Sequence, residues 1–381
     1  MAFLFLLNHI MAEHKNQHYV SQFYLKNFSS DRKTIGTLIL STNKFIENAP
    51  IKNQCSKDNF YQDKNYEIAL SELEADTSVI FDKIMNKEDL SSKEKFIARA
   101  FMLLQETRTK HSADIIHRGF NLMTTYLESR GISDEFKPTF EKLKIHSSDA
   151  IEIMKSMFQA SMNNCADLTL KVIINKTKLP FITCDDPLIT YNKHLERLEH
   201  NNYGLSCNGL ILLLPISPTH ILVLYDANIY KLGTRKQFYV PVSNIKDIEE
   251  ICLLTILHAS QTIYIKNGSI DYYQLTKLTN IAAKYIQSEN MELESFSSDD
   301  GKGELLRSYS EHFHIGARLD FLKELDKAKG IKSLNKRSFS VTQIMRPHCI
   351  KLLDQKQYRD QGLPFQGEQT FSTRIYSSRE K

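Results

Sequence analysis

The chain has 381 residues, of which 41% are hydrophobic, and a net charge of +4. That is an ordinary globular composition with apolar material for one large core or two smaller ones. Its six cysteines, at positions 55, 165, 184, 207, 252 and 349, include no close pair, which argues against a disulfide framework and a zinc ribbon and points to a reducing cytoplasm.

The run Phe3-Leu4-Phe5-Leu6-Leu7 is too short to span a bilayer and lacks the flanks of a signal peptide, so no membrane contact is expected. Residues 1–15 read as an N-terminal extension, with a start at Met11. Next, Asn16-Gln17-His18-Tyr19-Val20-Ser21-Gln22-Phe23-Tyr24-Leu25 threads polar groups through residues that must be buried. Val20, Phe23, Tyr24 and Phe28 recur at three-to-four spacing, which predicts a short helix with His18 at its entrance and Ser21 near its start. Thr34 to Leu40 alternates like a strand, and Thr42-Asn43-Lys44 reads as a turn into a second strand near Phe45.

A helix is predicted from about Tyr66 to Met85, with Leu70, Leu73, Thr77, Ile80, Phe81 and Ile84 on one face. Glu74 falls within that stripe, so its carboxylate is expected to face inward. Ser91-Ser92-Lys93-Glu94 is a capping box that opens the next helix. Along that helix Phe96, Ile97, Ala100, Phe101 and Leu104 form an apolar face, which Gln105, Arg108 and Ser112 interrupt before Ile115 restores it. A guanidinium buried without a partner costs several kcal/mol, so Arg108 is expected to meet a carboxylate or a bound anion. Glu74 and Asp185 are the candidates.

Helical patterning runs on to about Met162. Leu168 to Asn175, Leu179 to Thr183, Leu210 to Leu214 and His220 to Tyr225 then read as strands of one sheet. Their connections are mostly too short for crossover helices, which favours a mostly antiparallel α+β fold over a doubly wound one. Asn244 to Ser260 is predicted helical, with Ile263-Tyr264-Ile265 returning to the sheet. Residues 16–295 are assigned to a core domain, 296–302 to a polar, turn-rich linker, and 303–381 to a mainly helical or irregular extension. That extension is basic: residues 301–381 hold 16 Lys/Arg against 9 Asp/Glu. The charges read as solvated helical surface, and Glu311-His312-Phe313-His314 as surface histidines.

The segment Asn16 to Leu25 resembles the opening Asn-Gln-His-Tyr-Val-Pro-Gln-Phe-Leu-Leu of a bacterial domain-of-unknown-function family, DUF4238. The resemblance continues, in order, through Asn59-Phe60-Tyr61, Leu73-Glu74, Gln105 with Arg108-Thr109, Phe181-Ile182-Thr183 before an Asp-rich turn, and Leu213 to Pro218. It spans roughly residues 16–265. Ser21 stands where the family usually has Pro, and Cys184-Asp185-Asp186-Pro187 stands where it usually reads Ser-Asp-Asn-Pro. The resemblance implies a fold and a site list, and no activity.

His18, Glu74, Arg108 and Asp185 are therefore the candidate catalytic residues, with Gln105, Thr109 and Asp186 as substrate-binding residues and Asp185 and Glu74 as ligands for Mg or Mn. Carboxylates hold a hard cation, a histidine moves a proton near neutral pH, and an arginine clamps phosphate. A metal-dependent phosphodiesterase or nuclease-type effector, of the kind used in phage defence, is one expectation, with nucleic acid or a nucleotide as partner. The alternative is a non-catalytic sensing or binding module for an anionic ligand or a phage or host protein. A third expectation uses the same residues structurally: His18 on a backbone carbonyl, Arg108 on Glu74, and Asp185 capping the turn before Pro187. Signatures of ATPases, dinucleotide enzymes, zincins and esterases are missing.

Overall fold

A computed structural model of the protein describes residues 16–61, 63–131, 147–198, 204–270, 272–285, 291–297, 304–310, 315–331 and 344–360. The Phe3–Leu7 run, the Met11 start and Glu311–His314 lie outside these residues. The fold is α+β, as its strand-and-helix pattern predicts.

The chain opens with β1 (Asn16–His18) and the short α1 (Gln22–Lys26), followed by the hairpin β2 (Thr34–Ile39) and β3 (Lys44–Pro50) and by β4 (Ser56–Asp58). β4 pairs antiparallel with β1. Three long helices come next: α2 (Lys64–Met85), α3 (Ser92–Arg108) and α4 (Lys110–Ser129). Asp63 caps α2 by accepting from the Asn65 and Tyr66 amides, and the Ser91/Glu94 capping box opens α3. Each cap satisfies amides that the first helical turn leaves unpaired. α5 (Ser147–Asn164) leads into β5 (Thr169–Asn175), β6 (Thr183–Cys184) and β7 (Ile189–Tyr191).

After α6 (Lys193–Arg197) come β8 (Ile211–Ser217), β9 (His220–Tyr225), β10 (Tyr230–Leu232) and β11 (Tyr239–Val242). α7 (Ile245–His258), β12 (Thr262–Ile265) and α8 (Tyr272–Ala282) follow. The remaining elements are the hairpin β13 (Met291–Ser297) and β14 (Glu304–Ser310), β15 (Leu322–Glu324), α9 (Asp326–Lys329) and α10 (Pro347–Asp360).

A five-stranded sheet, ordered β11-β5-β9-β8-β7, is antiparallel except for the parallel β11/β5 pair. Its central strands are buried on both faces, and alternation along them divides the core in two. Ile211, Leu213, Ile221 and Val223 pack with Ile248, Ile251 and Cys252 of α7 and Leu275 of α8. Leu212, Leu214, Leu222 and Leu224 pack with Tyr24 and Leu25 of α1, Phe81 of α2 and Phe101 of α3. A second sheet, β3-β2-β12-β6, is antiparallel throughout, and residues 185–188 carry the chain from it into the first.

Of the polar stretch read as a linker over 296–302, Phe296 and Ser297 end β13, whose register with β14 runs to Ser297↔Glu304, and 298–302 lie outside the described residues. The extension also contains strand structure and packs on the core: β15 pairs with β10, and Ala317, Leu319 and Leu322 are buried in the α7 side of the core. Among the described residues, no helix is long and apolar enough to cross a membrane. All six cysteine thiols are free and buried.

Candidate functional site

β1, α1 and α2 line a half-open pocket of about 220 Å3, with Tyr61 and Arg108 also in its lining. One wall is the opening motif, with Asn16, Gln17, His18, Gln22 and Phe23. The other is a stripe of α2, Glu67, Leu70, Ser71 and Glu74, whose three-and-four spacing puts all four on one helix face.

The motif holds itself in place through its polar atoms. Gln17 is buried; its Oε1 accepts the Tyr61 amide at 2.7 Å and its Nε2 donates to Glu67 Oε2 at 3.1 Å. Cys55 adopts a left-handed backbone (φ 49°) and its carbonyl accepts the Tyr19 amide at 2.9 Å, a conformation that costs a non-glycine residue about 1–2 kcal/mol. Val20, Tyr24, Leu25 and Phe28 are fully buried, which fixes α1 against the sheet and so sets the pocket wall.

Arg108, 1% exposed, is the hub. Its Nε donates to Tyr61 Oη at 3.2 Å, Nη1 to Glu74 Oε1 at 2.7 Å and to Ser21 Oγ at 3.2 Å, and Nη2 to the His18 carbonyl at 2.9 Å. Burial opposes the charge, but Tyr61 and Glu74 outweigh it and raise the guanidinium pKa. Ser21 Oγ also donates to Glu74 Oε1 at 2.6 Å, a hydroxyl that proline at this position lacks. His18 is half-buried, and burial lowers its pKa. Its Nε2 lies 3.2 Å from the Lys52 carbonyl, an acceptor, so Nε2 carries the proton and Nδ1 is the acceptor nitrogen of the neutral ring.

Of the seven residues nominated from sequence, His18, Glu74 and Arg108 line this pocket; Gln105, Thr109, Asp185 and Asp186 do not. Both oxygens of Asp185 accept backbone amides, Ser260 at 3.0 Å and Gln261 at 2.9 Å, where α7 turns into β12. Gln105 is fully buried and donates to the Phe101 carbonyl of its own helix at 3.2 Å. The expected pairing of Asp185 with Glu74 around Mg or Mn finds no support in this arrangement. Among the described residues, no group of three or more His, Cys, Asp or Glu is placed to hold a metal ion. The residues that sequence reasoning passed over are Gln17, Tyr61, Glu67 and Ser71. Glu67 was within reach, being seven residues before Glu74 on the same stripe.

Thr109 and Asp186 belong to a second network just beyond Arg108. Thr109 Oγ1 donates to Asp186 Oδ1 at 3.1 Å, and His111 Nε2 lies 4.0 Å from Asp186 Oδ2. Burial, together with the adjacent Asp185 and Glu106 charges, raises the Asp186 pKa. Burial pushes Glu106 from an ordinary 4.5 up to about 7, with a Thr190 hydrogen bond opposing. The folded chain thus binds more protons than the unfolded one between these values. The stability contributed by that proton is full below pH 4.5 and is lost as pH rises through about 7. The unfolding free energy of the wild type should fall with pH across this window more steeply than that of Glu106→Gln, by at most about 1.4 kcal/mol per pH unit. Parallel stability curves for the two proteins, from urea titrations at several pH values, would remove Glu106 from this role.

A family model described as Protein of unknown function (DUF4238) matches residues 16–269, well over half of the chain. No curated protein and no solved structure matches.

Proposed function

We propose, for a chain that belongs to the DUF4238 family of proteins of unknown function, a binding role: it captures a small polar ligand in the pocket between its opening motif and α2. The observation that carries this reading is the pocket itself, about 220 Å3 walled by polar side chains already fixed by hydrogen bonds. Pre-formed walls reduce the ordering cost of binding.

The sequence-based alternative, metal-assisted phosphodiester hydrolysis by a nuclease-type effector in phage defence, has less support. Glu74 is already paired with Arg108, and Asp185 with two amides. What favours catalysis is the raised pKa of the neighbouring Asp186 and Glu106, because perturbed carboxyls cluster at functional sites.

The exposed wall residue Ser71 gives a direct test. In a thermal-shift screen of amines, amino acids, sugars and nucleotides, at least one compound should raise the melting temperature of the wild type and leave Ser71→Trp unmoved. If no compound shifts the wild type, or both proteins shift alike, the pocket is not the binding site. Labelled DNA, RNA and nucleotides incubated with Mg or Mn should remain intact. Turnover that disappears in both Asp185→Ala and His18→Ala would establish hydrolysis instead.

A further inference from the structure

We infer that the ligand of this pocket is a small organic cation, a primary ammonium on an aliphatic stem, and not the anion that an inward arginine suggests. The inference rests on the binding role proposed above and follows from a charge inventory of the walls.

Among the described lining residues, Arg108 is the only cation whose charge is permanent, and it is spent. Its contacts are with Glu74, Ser21, Tyr61 and the His18 carbonyl, and its side chain is 2% exposed. A phosphate could reach it only by displacing Glu74, which would leave that carboxylate partly buried and unpaired at a cost of several kcal/mol. His18 adds no charge near neutral pH, since burial lowers its pKa and its Nε2 proton is directed to the Lys52 carbonyl.

The lining also holds two carboxylates, Glu67 and Glu74, two turns apart on α2. Setting Glu74 against Arg108 leaves Glu67, whose contact with the neutral Gln17 amide at 3.1 Å does not cancel its charge. The described walls therefore carry one net negative charge in a partly enclosed space, where an opposite charge is worth more than in water. Around it stand Asn16, Gln22 and Ser71, which supply acceptors for the remaining ammonium hydrogens. Phe23 and Leu70 complete the lining, an apolar surface along which an alkyl stem packs while its charged end meets the acid. A short alkyl stem with an amine at one or both ends matches this pairing of an acid with an apolar wall.

Isothermal titration calorimetry on the full chain at low salt, with 1,4-diaminobutane and inorganic phosphate as probes, tests this. The diamine should bind saturably with one site per chain, and more weakly as NaCl is added. Glu67→Gln, which keeps a side chain able to meet Gln17, should weaken it at least about tenfold without changing the melting temperature of the free protein. Phosphate should give no saturable heat. The inference is overturned by a diamine that does not bind, by equal affinity in Glu67→Gln, or by phosphate binding that Ser71→Trp abolishes. That last result would end the cation assignment and leave the binding role standing. The binding role itself falls only on the Ser71→Trp screen.

Discussion

Arg108→Met should cost about 3–5 kcal/mol of stability, the range for removing one partner of a buried ion pair. The loss is large because the guanidinium serves four groups from three parts of the chain: Tyr61, Glu74 on α2, and Ser21 and the carbonyl of His18 in the opening motif. With methionine, Glu74 keeps only the Ser21 hydroxyl, and the Tyr61 hydroxyl and His18 carbonyl lose their strongest donor. Arg108→Lys should recover little, since an ammonium is a point charge and cannot reach acceptors spread around a planar fork. Removing both charges in Arg108→Met/Glu74→Leu should regain at least about 1 kcal/mol over Arg108→Met, because no carboxylate is then left unpaired. Urea midpoints for the four proteins decide the matter. A double variant no more stable than the single one would mean that Glu74 and Arg108 are not energetically coupled.

That arrangement was partly legible in the sequence. Helical periodicity is local, so the stripe from Leu70 to Ile84 turned Glu74 inward, and Arg108 continued the face of its own helix; their meeting followed from two local patterns. The capping box of α3 was readable for the same reason. Asp185 was not, because its direction depends on where β6 joins the sheet beside β12, a pairing between residues about 80 apart in the chain. The parallel β11/β5 contact is equally non-local. A subtler loss concerns His18. Its ring invites a role in proton transfer, yet its strongest contact with Arg108 is made by its backbone carbonyl, and a backbone atom leaves no mark on residue identity. His18 meets a backbone carbonyl and Arg108 meets Glu74, as one sequence expectation had it, whereas Asp185 holds the Ser260 and Gln261 amides and not the turn before Pro187; the pocket lies beside the Arg108 contacts.

The second large effect concerns a different buried arginine. Arg346 lies beyond the family match and is 0% exposed. Its Nε donates to both oxygens of Asp167, at 3.2 and 3.0 Å, and Nη1 to the carbonyls of Leu205 at 2.7 Å and Cys207 at 3.1 Å. Nη2 reaches the Asn164 carbonyl and lies 3.4 Å from Cys349 Sγ. Among the described residues the backbone around it makes a short bridge, Asn208 N to the Ile344 carbonyl at 2.6 Å and Arg346 N to the Ser206 carbonyl at 2.8 Å, with His348 Nε2 at 2.9 Å from the Asn163 carbonyl and Ile344 buried beside Leu195, Leu198 and Cys207. So small an apolar contact cannot hold the segment against its own chain entropy, and the guanidinium supplies the difference. Arg346→Ala should therefore release residues 344–360 at a local cost of about 3–5 kcal/mol, while the five-stranded sheet stays folded. Local opening of this kind is read by amide exchange: the Asn208 and Arg346-position amides should exchange at least about a hundredfold faster, with the β8 and β9 amides unchanged. Trypsin should then cut early at Lys351. Unchanged protection at position 208 would show that packing alone anchors the segment, and loss of protection in β8 and β9 as well would show that the anchor supports the whole core.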